Sequence, residues 1–330
     1  MNRPHTCFAR RKLCLGLMAA ALVPAVSSAS TEPWPSKPIR FIVPYAPGGL
    51  PDTVARALSQ QLTQRLGKSV VVDNRPGANG VVAAQALKSS PADGYTFLVT
   101  DGSMMSINPV IYKNLAYEPK RDFVPVSLAA RSPLFLAVNA RVPADSLASF
   151  LALAKSKPGT LNYGSSGIGS SHQLSMEALK AALKLDIKHI PFRGSGQSVP
   201  ALIGDQVQVV FAALPSLSGF VKSGQVKILG TNSLHRSSLA PQIPAISEVV
   251  PGYDYAVTVG VLAAAGTPDA VVKKMADAVA EAVKVPEVIS QFHVAGIEPV
   301  GGSSGEYAKA ISNEAARYAE ALKLAHVEAE

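Results

Sequence analysis

Apolar residues along this chain switch repeatedly between a strand-like and a helix-like spacing. Ile39-Arg40-Phe41-Ile42-Val43 is a short apolar run rich in branched residues and predicts a strand. Behind it, Val54, Leu58, Leu62 and Leu66 fall on one helical face, so a helix is expected to begin at Pro51, a residue preset for the first helical position. The same alternation continues with strands predicted at 69–73, 95–100, 134–138, 161–163, 187–190, 207–211 and 226–230. Between them lie helices at 81–88 and 147–155 and one running through Leu174, Ala178 and Ala181. Strand-helix alternation of this kind predicts an α/β fold with parallel sheets. At 255–264 a long apolar stretch breaks the pattern, and the remainder reads as mostly helical. Thr267-Pro268 predicts one helix start, with Thr267 as N-cap, and Ser303-Ser304-Gly305-Glu306 predicts another through a capping box. No internal repeat or low-complexity segment is visible.

A chain that builds one α/β lobe, crosses to a second and then returns fits a two-lobed molecule. The expected boundaries are 30–134 with 255–330 for the first lobe and 135–254 for the second, with crossing strands at 134–138 and 255–264. Ligand would sit in the cleft between them, lined by loops that follow the carboxyl ends of strands.

The N-terminus changes how the charge is read. Arg3, Arg10, Arg11 and Lys12 precede an apolar stretch at 13–26 that is too short to span a bilayer, and Ser27-Ser28-Ala29 resembles a signal-peptidase site. A signal peptide over 1–29, cleaved after Ala29, is therefore expected, with general secretion favoured because Ala9 precedes the Arg10-Arg11 pair, and a periplasmic location follows. Its loss removes those four basic residues and no acidic one, lowering the formal net charge from +8 to +4. The remaining Lys and Arg are scattered, with no basic run or aromatic ladder, which argues against nucleic acid as a partner. Both cysteines, Cys7 and Cys14, leave with the segment, so no disulfide, thiol nucleophile or cysteine metal ligand is expected.

Candidate chemistry concentrates in two glycine-rich loops. Gly48-Gly49-Leu50-Pro51-Asp52 joins the first strand to its helix, and Gly164-Ser165-Ser166-Gly167-Ile168-Gly169-Ser170-Ser171-His172 does the same downstream. Glycine lets the backbone approach a ligand, and the first amides of a helix point out of its end, where the macrodipole favours an anion. Two such loops suggest one anion held between two lobes.

These segments, with others in the same order, resemble the periplasmic solute receptors of tripartite tricarboxylate transporters, the Bug-type binding proteins. The resemblance rests on Trp34-Pro35-Ser36-Lys37-Pro38-Ile39, Val43-Pro44-Tyr45-Ala46-Pro47-Gly48-Gly49 with Asp52, Asn74-Arg75-Pro76-Gly77-Ala78-Asn79-Gly80, Asp93-Gly94-Tyr95-Thr96 and the second glycine-rich loop with His172. It implies a type II periplasmic-binding-protein fold, two α/β lobes closing on a small organic carboxylate. It also implies delivery to a permease with a large and a small membrane subunit, a monomeric receptor, no cofactor, no metal and no enzymatic activity. The sequence departs from the family in reading Ala256-Val257-Thr258-Val259-Gly260-Val261 where a Trp is usual, and Ile243-Pro244-Ala245-Ile246-Ser247-Glu248 where a Pro-Thr step is usual.

On this reading the ligand-binding residues are Tyr45, Pro47, Gly48, Gly49, Asp52, Asp101, Ser103, Ser165, Ser166, Gly167, Gly169, Ser170, His172 and Arg193. The proximal carboxylate is expected to meet the amides of Gly48, Gly49, Ser166, Gly167 and Gly169, with the Ser165 and Ser170 hydroxyls assisting. Several of these have a second reading. Asp52, near the start of its helix, is suited to stabilising the helix end or to receiving a ligand ammonium. His172 fits a packing residue or a ligand contact, Arg193 a partner for a distal carboxylate or a solvated rim residue, and Tyr45 a cover for the ligand or the edge of a core. A ligand-sensing receptor for a membrane kinase uses the same closure and is the alternative function. A secreted hydrolase is disfavoured, because Ile168 breaks a Gly-x-Ser-x-Gly elbow and His172 lies too near in sequence to be the usual triad base. The remaining histidines, His189, His235, His293 and His326, have no metal-ligand spacing.

Overall fold

The computed structural model describes residues 34–45, 47–192 and 194–324, so the expected signal peptide, Ala46 and Arg193 lie outside the described residues. Eleven strands among these residues form two sheets. The first sheet contains β1 (Ile39–Val43), β2 (Val70–Asn74), β3 (Thr96–Asp101), β4 (Phe123–Ser132), β10 (Val257–Ala264) and β11 (Glu298–Gly302), in the order β11-β4-β10-β3-β1-β2. The second contains β5 (Leu134–Asn139), β6 (Leu161–Ser165), β7 (Ile187–Pro191), β8 (Val209–Ala213) and β9 (Val226–Thr231), in the order β7-β6-β8-β5-β9. The chain passes from the first sheet to the second between Ser132 and Leu134 and returns between Thr231 and Val257.

Neither sheet is all-parallel, which corrects the expectation from strand-helix alternation. β1 pairs parallel with β2 and β3, and β6 with β7 and β8. The strands next to the two passages break the rule: β5 runs antiparallel to β8 and β9, and β10 to β3 and β4. A strand that arrives from the other sheet needs no crossover helix to return it to the same end, so nothing forces it parallel.

Alternation of side chains along the strands covers both faces of each sheet. In β1, Ile39, Phe41 and Val43 pack with Val54, Leu58 and Met275 of the helices Leu50–Leu66 and Asp269–Ala282. Ile42 turns to the other face and joins Ala84, Leu87, Leu98 and Tyr307, the last on the helix Ser304–Leu324. β5 divides likewise, with Leu134, Leu136 and Val138 on one face of the second sheet and Phe135 and Ala137 on the other.

Helix Ser304–Leu324 ties the halves together. Its Tyr307 and Ile311 pack on the first sheet, while Tyr318, Ala321 and Leu322 belong to the core of the second. The predicted capping box starts it: Ser303 N–H and Oγ donate to Glu306 Oε2 at 2.7 and 2.8 Å, and Glu306 N–H donates back to Ser303 Oγ at 3.3 Å. The cap predicted at Thr267 is not made, because its hydroxyl donates to Ala264 O at 2.8 Å and the helix begins at Asp269. Two family-like segments are braces for the first sheet. Trp34 Nε1 donates to Gly94 O at 3.1 Å, Ser36 N–H to the Tyr95 hydroxyl at 2.9 Å, and Lys37 pairs with Asp93 at 3.1 Å.

Candidate functional site

β1, β6 and β7 each end in a loop that opens a helix, the position where open α/β sheets usually hold ligands. Helix Leu50–Leu66 starts at Gly49 and helix Ser195–Ile203 at Gly194, both without a side-chain cap, so their first amides are not masked by a side chain. Helix Ser171–Leu183 differs, because its N-cap Ser170 accepts from Gln173 N–H at 3.3 Å.

The first loop is held from beneath by Asp52, which is only 2 % exposed. Asp52 Oδ2 accepts from Gly48 N–H and Arg56 Nε, each at 2.8 Å, and Oδ1 accepts from Asn74 Nδ2 at 2.8 Å. Burial pushes this carboxyl upward, but the hydrogen bonds from Arg56, Gly48 and Asn74 outweigh it and hold the group below its ordinary range. Of the two roles read for Asp52, this geometry fits the structural one: both oxygens already accept hydrogen bonds from the protein and its charge is offset by Arg56. Asn74 Nδ2 also donates to Tyr45 O at 3.0 Å, so this residue of the Asn-Arg-Pro-Gly-Ala-Asn-Gly segment fixes the loop from both ends.

Tyr45, Asp101 and Ser103 are brought together beside that loop. The Tyr45 hydroxyl donates to Asp101 Oδ1 at 3.0 Å, and Ser103 N–H donates to the same oxygen at 3.1 Å. Desolvation raises the Asp101 carboxyl and, with the neighbouring carboxylate, raises the Tyr45 phenol well above its ordinary value. Asn79 and Asn108 brace the next segment, Asn79 Nδ2 donating to Asn108 Oδ1 at 2.7 Å and Asn108 Nδ2 to Asn79 O at 2.9 Å.

The second loop is a closed hydrogen-bond knot. Ser165 is fully buried, and its hydroxyl donates to Gly167 O at 3.2 Å, accepts from Gly167 N–H at 3.1 Å and lies 2.7 Å from His189 Nε2. Ser170 Oγ donates to Gly167 O at 2.7 Å, and Gly169 N–H donates to Gln173 Oε1 at 2.7 Å. Thus three of the five predicted amide donors, Gly48, Gly167 and Gly169, already have internal acceptors, and the Ser165 and Ser170 hydroxyls are committed to the loop itself. Gly49 and Ser166 are left without an amide acceptor among the described residues.

His172 is drawn toward a residue the sequence reading did not include, with Nε2 3.3 Å from Ser195 Oγ, which in turn lies 3.4 Å from Ser166 Oγ. Burial lowers the His172 imidazole to about 4, so it is neutral at physiological pH. Its Nδ1 is buried and has no partner among the described residues. His189 and Gln173 were also missed; they shape the loop from a neighbouring strand and helix, and Gln173 Nε2 lies 3.2 Å from His189 Nδ1.

The two glycine-rich loops belong to different sheets, and no hydrogen bond among the described residues joins them. Between the halves, Leu50 packs on both cores, and a Cβ placed on Gly169 would stand 3.7 Å from Ile111 Cδ1. A groove of about 710 Å³ also touches the first loop, lined by Pro47, Gly48, Thr53, Arg56 and, from helix Pro286–Val294, Gln291 and Val294. It includes nothing from the second loop, so it is not the space that both loops border. Among the described residues no group of His, Cys, Asp and Glu has a metal-binding arrangement, and no helix is long and apolar enough to cross a membrane.

Comparison with known proteins agrees with this fold. The protein BugT of Bordetella pertussis is 32 % identical over 304 residues, covering 92 % of this chain and 93 % of BugT. The solved structure of R. palustris Rpa4515 with adipate superposes with a TM-score of 0.77 at 31 % identity, covering 90 % of this chain and all of that one. MatC (Rpa3494) from Rhodopseudomonas palustris with bound malate gives a TM-score of 0.71 at 28 % identity, covering 87 % of this chain and 99 % of that one. Residues 54–325 match TctC, the tripartite tricarboxylate transporter family receptor. With the fold and this match in agreement, the chain belongs to the tripartite tricarboxylate transporter receptor family, whose structural relatives include periplasmic binding proteins of the Bug type.

Proposed function

We propose that this protein is a periplasmic receptor that captures a small organic carboxylate between its two sheets and delivers it to a permease with a large and a small membrane subunit. The observation that carries the reading is the pair of glycine-rich loops, one on each sheet, at the carboxyl ends of β1 and β6 where helices begin. Donors there are neutral: backbone amides at Gly49 and Ser166, the Ser166 and Ser195 hydroxyls, and an uncharged His172. Such donors bind a carboxylate without a salt bridge, which suits a cargo that must be released. Two relatives hold carboxylates of this kind, adipate in Rpa4515 and malate in MatC.

In this account the remaining loop residues shape the donors rather than touch the ligand first. Residues 30–134 and 255–330 form one lobe and 135–254 the other, after removal of a signal peptide at 1–29. The receptor acts as a monomer, by binding, closure, docking and release, with no covalent chemistry and no nucleic-acid partner.

Gly49→Val tests the loop assignment. Gly49 sits at φ −72° and ψ 166°, extended backbone that valine adopts without strain. Its side chain would stand where the carboxylate approaches, so binding of any acid is expected to weaken by about 100-fold or more, a loss equivalent to about 2.7 kcal/mol, while circular dichroism and melting temperature stay close to wild type. Undiminished affinity in the folded variant would count against the assignment.

A further inference from the structure

Ile168 stands out within the second loop. It is 70 % exposed, although the loop around it is otherwise polar. It lies between Gly167 at φ 123° and Gly169 at φ 73°, two backbone conformations that favour glycine. The segment does not present this side chain through slackness. Gly167 O receives the hydroxyls of Ser165 and Ser170, Gly167 N–H is held by Ser165 Oγ, and Gly169 N–H is held by Gln173 Oε1. A backbone fixed on both sides of a branched apolar residue therefore holds that residue in water, next to Ser166 and its unmatched amide.

A second apolar side chain stands beside Gly169, the next residue of the loop. Ile111, at the end of the short helix Asn108–Ile111, brings its Cδ1 within 3.7 Å of a Cβ placed on Gly169, and Val110 beside it is 38 % exposed. That helix is itself pinned through Asn108 to Asn79. Along the second loop, neutral donors at Ser166 and Ser195 thus neighbour an exposed apolar group, Ile168, with Ile111 beside Gly169, and no charged residue stands beside Ile168 in the loop sequence.

We propose that Ile168 is a specificity-determining residue, packing on the hydrocarbon segment of the bound acid so that the receptor favours carboxylates carrying a run of methylenes over short, hydroxylated ones. This rests on the carboxylate-receptor reading above. Each methylene buried against such a surface is worth about fourfold in affinity. A polar residue at 168 removes that increment without touching the amides that hold the carboxylate.

Calorimetric titration of the purified protein with unbranched dicarboxylates from butanedioate to octanedioate tests the proposal. Wild-type affinity is expected to rise about two- to fourfold per methylene across part of the series. Ile168→Ser should flatten that rise, lowering the ratio of longest to shortest about fivefold or more with the melting temperature unchanged, and Ile168→Leu should restore it. Equal loss for every acid, or an unaltered series, would overturn the proposal, as would a wild-type protein whose affinity does not grow with chain length. A wild-type protein that binds no acid at all would instead overturn the carboxylate reading beneath it, and the two failures are told apart by that first titration.

Discussion

Alanine at position 260 is expected to lower stability by about 3 kcal/mol, and by more if the core cannot shift. Gly260 lies in the middle of β10, fully surrounded, and a Cβ built there falls on the ring of Tyr307. That ring is completely buried on helix Ser304–Leu324, among Ile42, Leu98 and Leu262. It has no direction in which to move without displacing the helix that joins the two halves. Interiors are packed too tightly to absorb a carbon atom at such a position. The overlap accounts for the energy only if the cost depends on Tyr307. Urea denaturation of a double-mutant cycle measures this: in a Tyr307→Ala background the cost of Gly260→Ala should fall below about 1 kcal/mol. An unchanged cost would show that backbone preference, not the ring, requires the glycine.

The second large effect concerns pH. Glu314, on the same helix, is 2 % exposed; Thr258 Oγ1 donates to its Oε1 at 2.7 Å, and its Oε2 has no partner among the described residues. A Cβ on Gly102 would fall on that second oxygen, so the carboxyl lies against the segment carrying Asp101 and Ser103. Burial pushes Glu314 up to about 7, with the hydrogen bond from Thr258 and the charges of Arg317 and Arg131 pulling down and Asp101 pushing up; Tyr307 and Tyr318 also face it. A carboxyl raised in the folded state contributes stability that is fully present below its unfolded value of 4.5 and is lost as pH rises through about 7. The difference corresponds to about 3 kcal/mol. Wild type is therefore expected to lose about that much more stability between pH 4.5 and 8 than Glu314→Gln, measured by urea denaturation across the range. Parallel pH profiles for the two proteins would contradict the assignment.

Elements with clean periodicity were legible from the sequence, and those that break a local rule were not. Helix Val81–Lys88 and strands such as β1 and β5 coincide closely with their patterns. β4 was missed because Pro125 sits inside it, and proline normally demotes a strand; it is tolerated here where the pairing with β10 shifts register at Leu262. β11 was missed because Glu298–Gly302 contains one proline and two glycines, and it survives as an edge strand. In the site, the glycine-rich loops announced themselves by composition and by position after a strand. Most of their hydrogen-bond partners did not, since Asn74, His189 and Ser195 reach the loops from other elements and no local spacing encodes that approach; Gln173, four residues after Gly169 on the helix that the loop opens, is the local exception.

The signal peptide expected at 1–29, and Arg193, read as either a partner for a distal carboxylate or a solvated rim residue, lie outside the described residues. Recognition of a free carboxylate by neutral donors at two helix starts needs neither, and it is measured by a thermal-shift series on residues 30–330, unfolded and refolded to remove any carried-over ligand. Adipate, malate and other small organic acids are compared with their amides at matched concentrations. At about one hundred times its dissociation constant, a ligand specific for the folded state adds about 2.7 kcal/mol and raises the melting temperature by about 5 °C. Such a rise is expected for at least one acid and none for its amide. Equal shifts for acid and amide, or no shift with any acid, would contradict it.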